Sequence, residues 1–169
     1  MKKIFSEKFP RVIKNKKNLE KELNVKLKVD GTEITIDGES VDEYIAEKVI
    51  TAIDFGFPLS VALMLKDDEY VFESLNIKDY TKKTNLVSVR ARIIGKGGKT
   101  IKTLSDLTKC YFEIKDNQVG IVGNSEDIQN ALQSIISIAQ GSKQSNVYHY
   151  LEKHHPMPIF DLGLKEEKK

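Results

Sequence analysis

Apolar positions along the chain fall into short blocks of two periods. Leu86 to Ile93 alternates apolar with polar or basic residues (Val87, Val89, Ala91, Ile93), the period of a strand. Ile101, Leu104 and Leu107 follow at three-residue steps, an amphipathic helix face. Tyr111 to Lys115 and Gln118 to Val122 predict two short strands joined at Asp116-Asn117, a turn-forming pair. Ser125 is placed to N-cap a helix carrying Ile128, Leu132, Ile135 and Ile136, which Gly141 closes.

The same blocks occur twice. Sliding the chain along itself by 85 residues lays 14–56 over 99–141 without a gap, with eleven identities in 43 positions, among them Lys14/Lys99, Leu19/Leu104, Ile36/Ile121, Gly38/Gly123, Ile50/Ile135 and Gly56/Gly141. Identity of about a quarter with the apolar pattern kept argues for two copies of one unit. In the first copy Ser40 is the expected cap of the last helix, whose apolar face is Val41, Tyr44, Ile45, Val49 and Ile53. Just upstream the offset becomes 81, pairing Arg11-Val12-Ile13 with Arg92-Ile93-Ile94. Gly95-Lys96-Gly97-Gly98 accounts for the difference, so only the second copy has a glycine loop. Between the copies, Phe57 to Asp79 predicts two short helices, begun at Pro58 and around Asp67 to Glu69, too apolar for a free linker. The expected fold is α+β, two tandem units of strand, helix, helix, strand, strand, helix. The expected division is a first unit at 1–56, a helical connector at 57–80, a second unit with its C-terminal helix at 81–155, and a flexible tail at 156–169.

Composition narrows the chemistry. Forty per cent of the 169 residues are hydrophobic and 31% charged, too apolar for a disordered chain. No apolar run approaches the roughly 18–20 residues of a membrane span, and MKKIFSEKFP lacks the apolar segment of a secretory signal, so a cytoplasmic location without membrane contact is expected. The single cysteine, Cys110, leaves no internal disulfide and no cysteine cluster for zinc. Net charge is only +2, but it is segregated: 78–109 holds nine basic residues against Asp79 and Asp106, and 8–28 holds eight against Glu20 and Glu22. Segregated basic faces suit an anionic partner such as nucleic acid; the plainer reading is a solvated lysine-rich surface.

Spacing sorts the motifs that Gly95-Lys96-Gly97-Gly98-Lys99-Thr100 could be. A phosphate-cradling nucleotide loop needs a glycine at Ile93, and a dinucleotide loop needs one at Thr100. A GxxG turn between two short helices fits without departure, its glycines admitting a phosphate backbone and Lys96 and Lys99 neutralising it. His154-His155 lacks cysteine or carboxylate at ligand spacing, Asp67-Asp68-Glu69 reads as an acidic helix start, and Cys110 has no histidine partner nearby. No catalytic constellation, metal site or cofactor motif emerges, and the expectation is a non-enzyme.

The run Ile93-Ile94-Gly95-Lys96-Gly97-Gly98-Lys99-Thr100-Ile101, with Leu104, Thr108 and Tyr111-Phe112-Glu113-Ile114, resembles the core signature of a KH domain over about 87–141. Lys109 replaces the glycine usual before the second strand. The resemblance implies two type I KH-like domains, the first lacking GxxG. It implies single-stranded RNA held by Gly95, Lys96, Gly97 and Gly98, bases resting on Ile94 and Ile101 and meeting Phe112, Glu113 and Ile114, and phosphate or stacking contacts from Arg90, Arg92, Lys99 and Lys102. The first copy is read as a protein-docking or packing unit, or one that binds RNA by charge alone. The whole chain resembles archaeal tandem-KH ribosome-biogenesis proteins related to the eukaryotic Pno/Dim and Krr small-subunit assembly factors. Gly56-Phe57-Pro58 through Tyr80 and Val147 to Glu152 resemble that group's connecting and C-terminal helices, whereas the tail after His155 is less basic than the group implies. This similarity implies binding of small-subunit ribosomal RNA, near its 3′ end, for rRNA processing. It implies as partners the ribosomal precursor, the endonuclease that trims it and a translation initiation factor. The alternatives are an adaptor of an exosome-like degradation complex and a protein scaffold with a vestigial GxxG.

Overall fold

A computed structural model describes residues 1–6 and 9–154. In the N-terminal half, β1 (Lys2–Phe5), α1 (Pro10–Lys14), α2 (Lys16–Leu23), β2 (Lys26–Asp30), β3 (Glu33–Asp37) and α3 (Ser40–Phe55) follow in order. The strands form an antiparallel sheet in the order β1-β3-β2. Leu27, Ile34 and Ile36 alternate onto one face and bury against Val12, Leu19, Ile50 and Ile53 from the helices. A short α4 (Leu59–Ala62) and a 3-10 turn (Leu63–Lys66) complete this half.

The C-terminal half repeats the order: β4 (Tyr70–Asn76), α5 (Leu86–Ile94), α6 (Lys99–Thr108), β5 (Tyr111–Lys115), β6 (Gln118–Asn124) and α7 (Ile128–Ala139), then α8 (Gln144–Lys153). Its sheet runs β4-β6-β5 and leaves β5 at an edge. Ile93, Leu104, Ile121, Ile135 and Ile138 are fully buried in its core, and α8 adds Val147 and Leu151.

Two element predictions are corrected. Leu86 to Ile93 is helical: Val89 and Ile93, four apart, are buried, while Val87 is 64% exposed and Ala91 faces solvent. The Asn85 side chain accepts the Ser88 amide at 3.3 Å and starts the turn. A strand and a helix can share Val89 and Ile93, and only packing chooses between them. The strand position is filled instead by β4, inside the segment expected to be a helical connector. It pairs along β6 from Tyr70 opposite Asn124 to Asn76 opposite Gln118, and the Asp67 carboxylate accepts the Glu69 amide at 2.9 Å, making a turn where a helix start was expected. Tyr70 and Phe72 pack on the first core, Val71 and Leu75 on the second. Apolar on both faces, β4 carries no strand period to read.

The predicted caps are also corrected. Ser40 is the first residue of α3, behind Glu39, with no side-chain cap, and Glu43 reaches back to the Gly38 amide at 3.1 Å. Asp127, not Ser125, precedes α7. Gly141, at φ +105°, does end it.

The two halves pack as one body. Val122 of β6 turns away from its own helices and lies in the first core. A Cβ on Gly120, two residues earlier, would sit 2.6 Å from the Phe55 ring. Phe55, Phe57 and Phe72 form a cluster with centroids 5.6–6.0 Å apart across this seam. Phe57 is 1% exposed, and burial of such a side chain contributes about 2–3 kcal/mol.

Candidate nucleic-acid interface

The loop between α5 and α6 is set by its glycines. Gly95 lies at φ +77°, ψ 170°, a region essentially restricted to glycine, and a Cβ there would fall 2.1 Å from Thr100 Oγ1 and 2.6 Å from the Thr100 amide nitrogen. Gly97 and Gly98 are left-handed at φ +63° and +77°, with open space where a Cβ would stand. The corresponding junction in the N-terminal half is Asn15 alone, between α1 and α2.

No side chain caps the start of α6; the Lys99 amide donates to the Lys96 carbonyl within the loop, and the positive end of the helix dipole lies at the loop. The Gly98 amide is used within the loop, donating to Gly95 O at 3.1 Å. Lys96, Lys99 and Lys102 are exposed, and among the described residues none of the three makes an ion pair. Ile94 is 37% exposed beside the loop and Ile101 half-buried on α6. Across from them, Phe112 and Ile114 of the edge strand pack half-buried on the second core. The arrangement is an apolar trough with a basic rim, an uncapped helix start and an unpaired strand edge.

Two expected residues are turned to carbonyl partners, and a third faces the other side of β5. Arg90 donates to the Asp116 carbonyl at 3.0 Å, bracing the β5–β6 turn. Arg92 donates to Ile138 O at 2.9 Å and Ser142 O at 2.7 Å, holding the end of α7. Glu113 points to the opposite face of β5 from Phe112 and Ile114, because strand side chains alternate. There burial raises its carboxyl above the ordinary range, partly offset by Arg11, whose guanidinium donates to the Gly56 carbonyl.

The sequence reading missed the neighbours of this face. Phe57, Pro58 and Val61 stand beside Ile101, Tyr111, Phe112 and Glu113 around one hollow. Only the β5 alternation, which sends Tyr111 and Glu113 to one side together, hinted at it. Elsewhere, burial raises the Cys110 thiol to about 11, which keeps it an inert thiol. His154 stacks on Tyr150 at 4.0 Å, and His155 and the tail lie outside the described residues. Among the described residues no group of three or more His, Cys, Asp or Glu could hold a metal ion, and no helix is long and apolar enough to cross a membrane.

A glycine turn joining two short helices, set against a β-α-α-β-β-α unit with strand order 1-3-2, defines a KH domain of type I. The model of the second KH domain of PNO1, a eukaryotic-type KH domain (KH-domain type I), matches residues 71–156, beginning within β4. The chain belongs to this PNO1-type KH family. It is 36% identical over 146 residues to a KH domain-containing protein of Methanocaldococcus jannaschii, covering 82% of this chain and 64% of that one. It is 34% identical over 103 residues to the pre-rRNA-processing protein PNO1 of Saccharomyces cerevisiae, covering 59% and 37%. The chain thus spans about two thirds or less of the length of these relatives. Dim2p from Pyrococcus horikoshii superposes with a TM-score of 0.82 at 26% identity, over 90% of this chain and 98% of that one. The same fold occurs, at TM-score 0.79, 25% identity and 90% and 92% coverage, in a complex of a/eIF2alpha, aDim2p and rRNA from that organism.

Proposed function

We propose that the protein is a non-enzymatic, cytoplasmic assembly factor of the small ribosomal subunit that binds single-stranded ribosomal RNA, near the 3′ end, through its C-terminal KH domain. The observation that carries this reading is the GxxG loop, with its left-handed glycines and free lysines, facing an apolar trough along an open strand edge. The amides of Lys96 and Gly97 and the start of α6 take phosphates, Lys99 and Lys102 add charge, and bases rest on Ile94, Ile101, Phe112 and Ile114. Arg90 and Arg92 act as braces of the groove's walls. The N-terminal half is a second KH-like unit without GxxG, whose role is packing and docking. The rRNA complex of the Pyrococcus relative supports ribosomal RNA as ligand and an initiation factor subunit as partner; the yeast relative's name supports a role in pre-rRNA processing, and a trimming endonuclease as partner rests on the family resemblance alone.

Fluorescence anisotropy with RNA of the 3′-terminal small-subunit sequence, against scrambled RNA and matched DNA, tests this reading. Gly97→Asp/Gly98→Asp places two carboxylates in open space beside the phosphates, and circular dichroism checks that the fold persists. The expected outcome is preference for the ribosomal RNA in the wild type and at least a tenfold loss in the variant, about 1.4 kcal/mol. Equal binding by both proteins removes the groove as the RNA site.

A further inference from the structure

We propose that the free edge of β4 is a strand-addition site for a protein partner, and that it takes an extended segment in which lysine or arginine alternates with apolar residues. The site lies at the edge of the sheet opposite to β5, shares no residue with the RNA groove and does not depend on the RNA reading.

Nothing blunts this edge. An exposed edge strand presents unpaired amides and carbonyls, and proteins protect such edges with lysine, proline, a bulge or shortness. The edges of the first sheet follow that rule: β1 has four residues with Lys2 and Lys3, and β2 has five with Lys26 and Lys28. β4 has seven residues, without lysine or proline, and its register along β6 is unbroken from Tyr70 to Asn76. The Ile77 amide donates to Asn117 O and the Ser125 amide to Glu69 O, both at 2.8 Å. Odd-numbered positions of β4 therefore bond to β6, and the amides and carbonyls of Phe72 and Ser74 point outward. Among the described residues these groups have no partner.

Shape and charge name the occupant. An added strand sends alternate side chains to the two faces of the sheet. Those opposite Phe72 reach a hollow of about 350 Å³ that Phe72 shares with Tyr44, Glu47 and Lys48 of α3, where Tyr44 is 52% exposed. Those opposite Glu73 meet an exposed carboxylate, with Asp68 and Glu69 exposed just ahead of the strand. Among the described residues none of these three acids makes an ion pair, and the nearby lysines are engaged: Lys48 Nζ lies 4.3 Å from the Tyr44 ring centre, and Lys2 pairs with Glu47 at 2.9 Å. Such an edge repels phosphate, which disfavours nucleic acid. A second copy is disfavoured as well, because pairing β4 with itself along its whole length sets Glu73 opposite Glu73, and like charges directly opposite are destabilising. A basic segment with apolar residues between its charges satisfies the ladder, the hollow and the carboxylates together.

The experiment titrates the isotope-labelled full chain with a blocked peptide of about six residues, an ordinary strand length, alternating Lys and Val. Its controls are the Glu-Val counterpart and the Lys-Val peptide N-methylated at every amide, which keeps the charge and removes the donors. The Lys-Val peptide is expected to slow hydrogen exchange at the Phe72 and Ser74 amides and to bind about tenfold more tightly than the Glu-Val peptide, as two or three opposite-charge cross-strand pairs provide. The N-methylated peptide is expected not to bind. Ser74→Pro removes an outward donor at an edge position that tolerates proline and abolishes binding. Glu73→Lys removes the preference for the Lys-Val peptide and leaves RNA anisotropy unchanged. If the Lys-Val peptide does not protect the Phe72 and Ser74 amides, if its N-methylated form binds as well, or if Glu73→Lys keeps the preference, the proposal is overturned. Protection of those amides in the free chain overturns it too, and sedimentation then separates a second copy, which makes the protein dimeric, from the chain's own residues 156–169, which leave it monomeric.

Discussion

The two halves of the molecule share strand order and helix placement and differ at one joint. In the N-terminal half α1 and α2 meet at Asn15; in the C-terminal half Gly95 to Gly98 separate α5 from α6. Both halves bury complete cores, so the glycine loop is not needed to close the fold. What it adds is a run of positive-φ backbone, with a Cβ blocked at Gly95 and open space at Gly97 and Gly98. The scaffold is thus specified by apolar burial, and the loop, in the proposed function, by the phosphate backbone it admits.

Breaking the loop without touching its charge is expected to have the largest effect. Gly95→Ala meets both a glycine-only backbone region and the Thr100 contact, and should cost about 3 kcal/mol or more. Gly97→Ala has open space and only left-handed strain, about 1–2 kcal/mol. Urea denaturation of the two variants measures the difference; equal losses would mean that the Thr100 contact is unimportant.

Separating the halves comes next. Gly120→Val drives a side chain into the Phe55 ring, and overpacking of this kind costs about 1–3 kcal/mol. Calorimetry should show one transition for the wild type and a broadened or divided one for the variant, while a sharp transition at the wild-type temperature would show that the seam repacks freely.

The helix ends sharpen the comparison further. Asn24 ends α2 at φ 54° and Lys109 ends α6 at φ 59°, at matching places in the duplication. Asparagine tolerates the left-handed region and lysine does so poorly, so Lys109→Gly should stabilise by about 0.5–1 kcal/mol and Asn24→Gly by less. Their melting temperatures compare the two directly.

The smallest effect concerns Glu113. Its folded-state carboxyl lies above the unfolded value because it is buried. Ionisation therefore favours the unfolded chain, and stability falls as pH rises from the unfolded value through the folded one. Glu113→Gln should be more stable than wild type at pH 7, with the gain vanishing below about pH 4, the usual glutamate range. A gain that persists at low pH would assign the effect to packing.

The pattern of residues alone determined a good deal. The duplication, the apolar faces of α6 and α7, the β5–β6 hairpin and the GxxG loop follow from local spacing, and local spacing does not depend on what an element packs against. Even the second-copy register was legible, since β2 and β5 and then β3 and β6 stand 85 residues apart. Tertiary structure decided the rest. It made Leu86 to Ile94 a helix, because Tyr70 to Asn76 had taken the strand position between two cores and, apolar on both faces, showed no period. It turned Arg90 and Arg92 inward to carbonyls 26 to 50 residues away, partners that no spacing announces. It brought Pro58 and Val61 against Tyr111 and Glu113 by stacking one half on the other. Each of these depends on contacts far apart in the chain, and periodicity reports only an element's own faces.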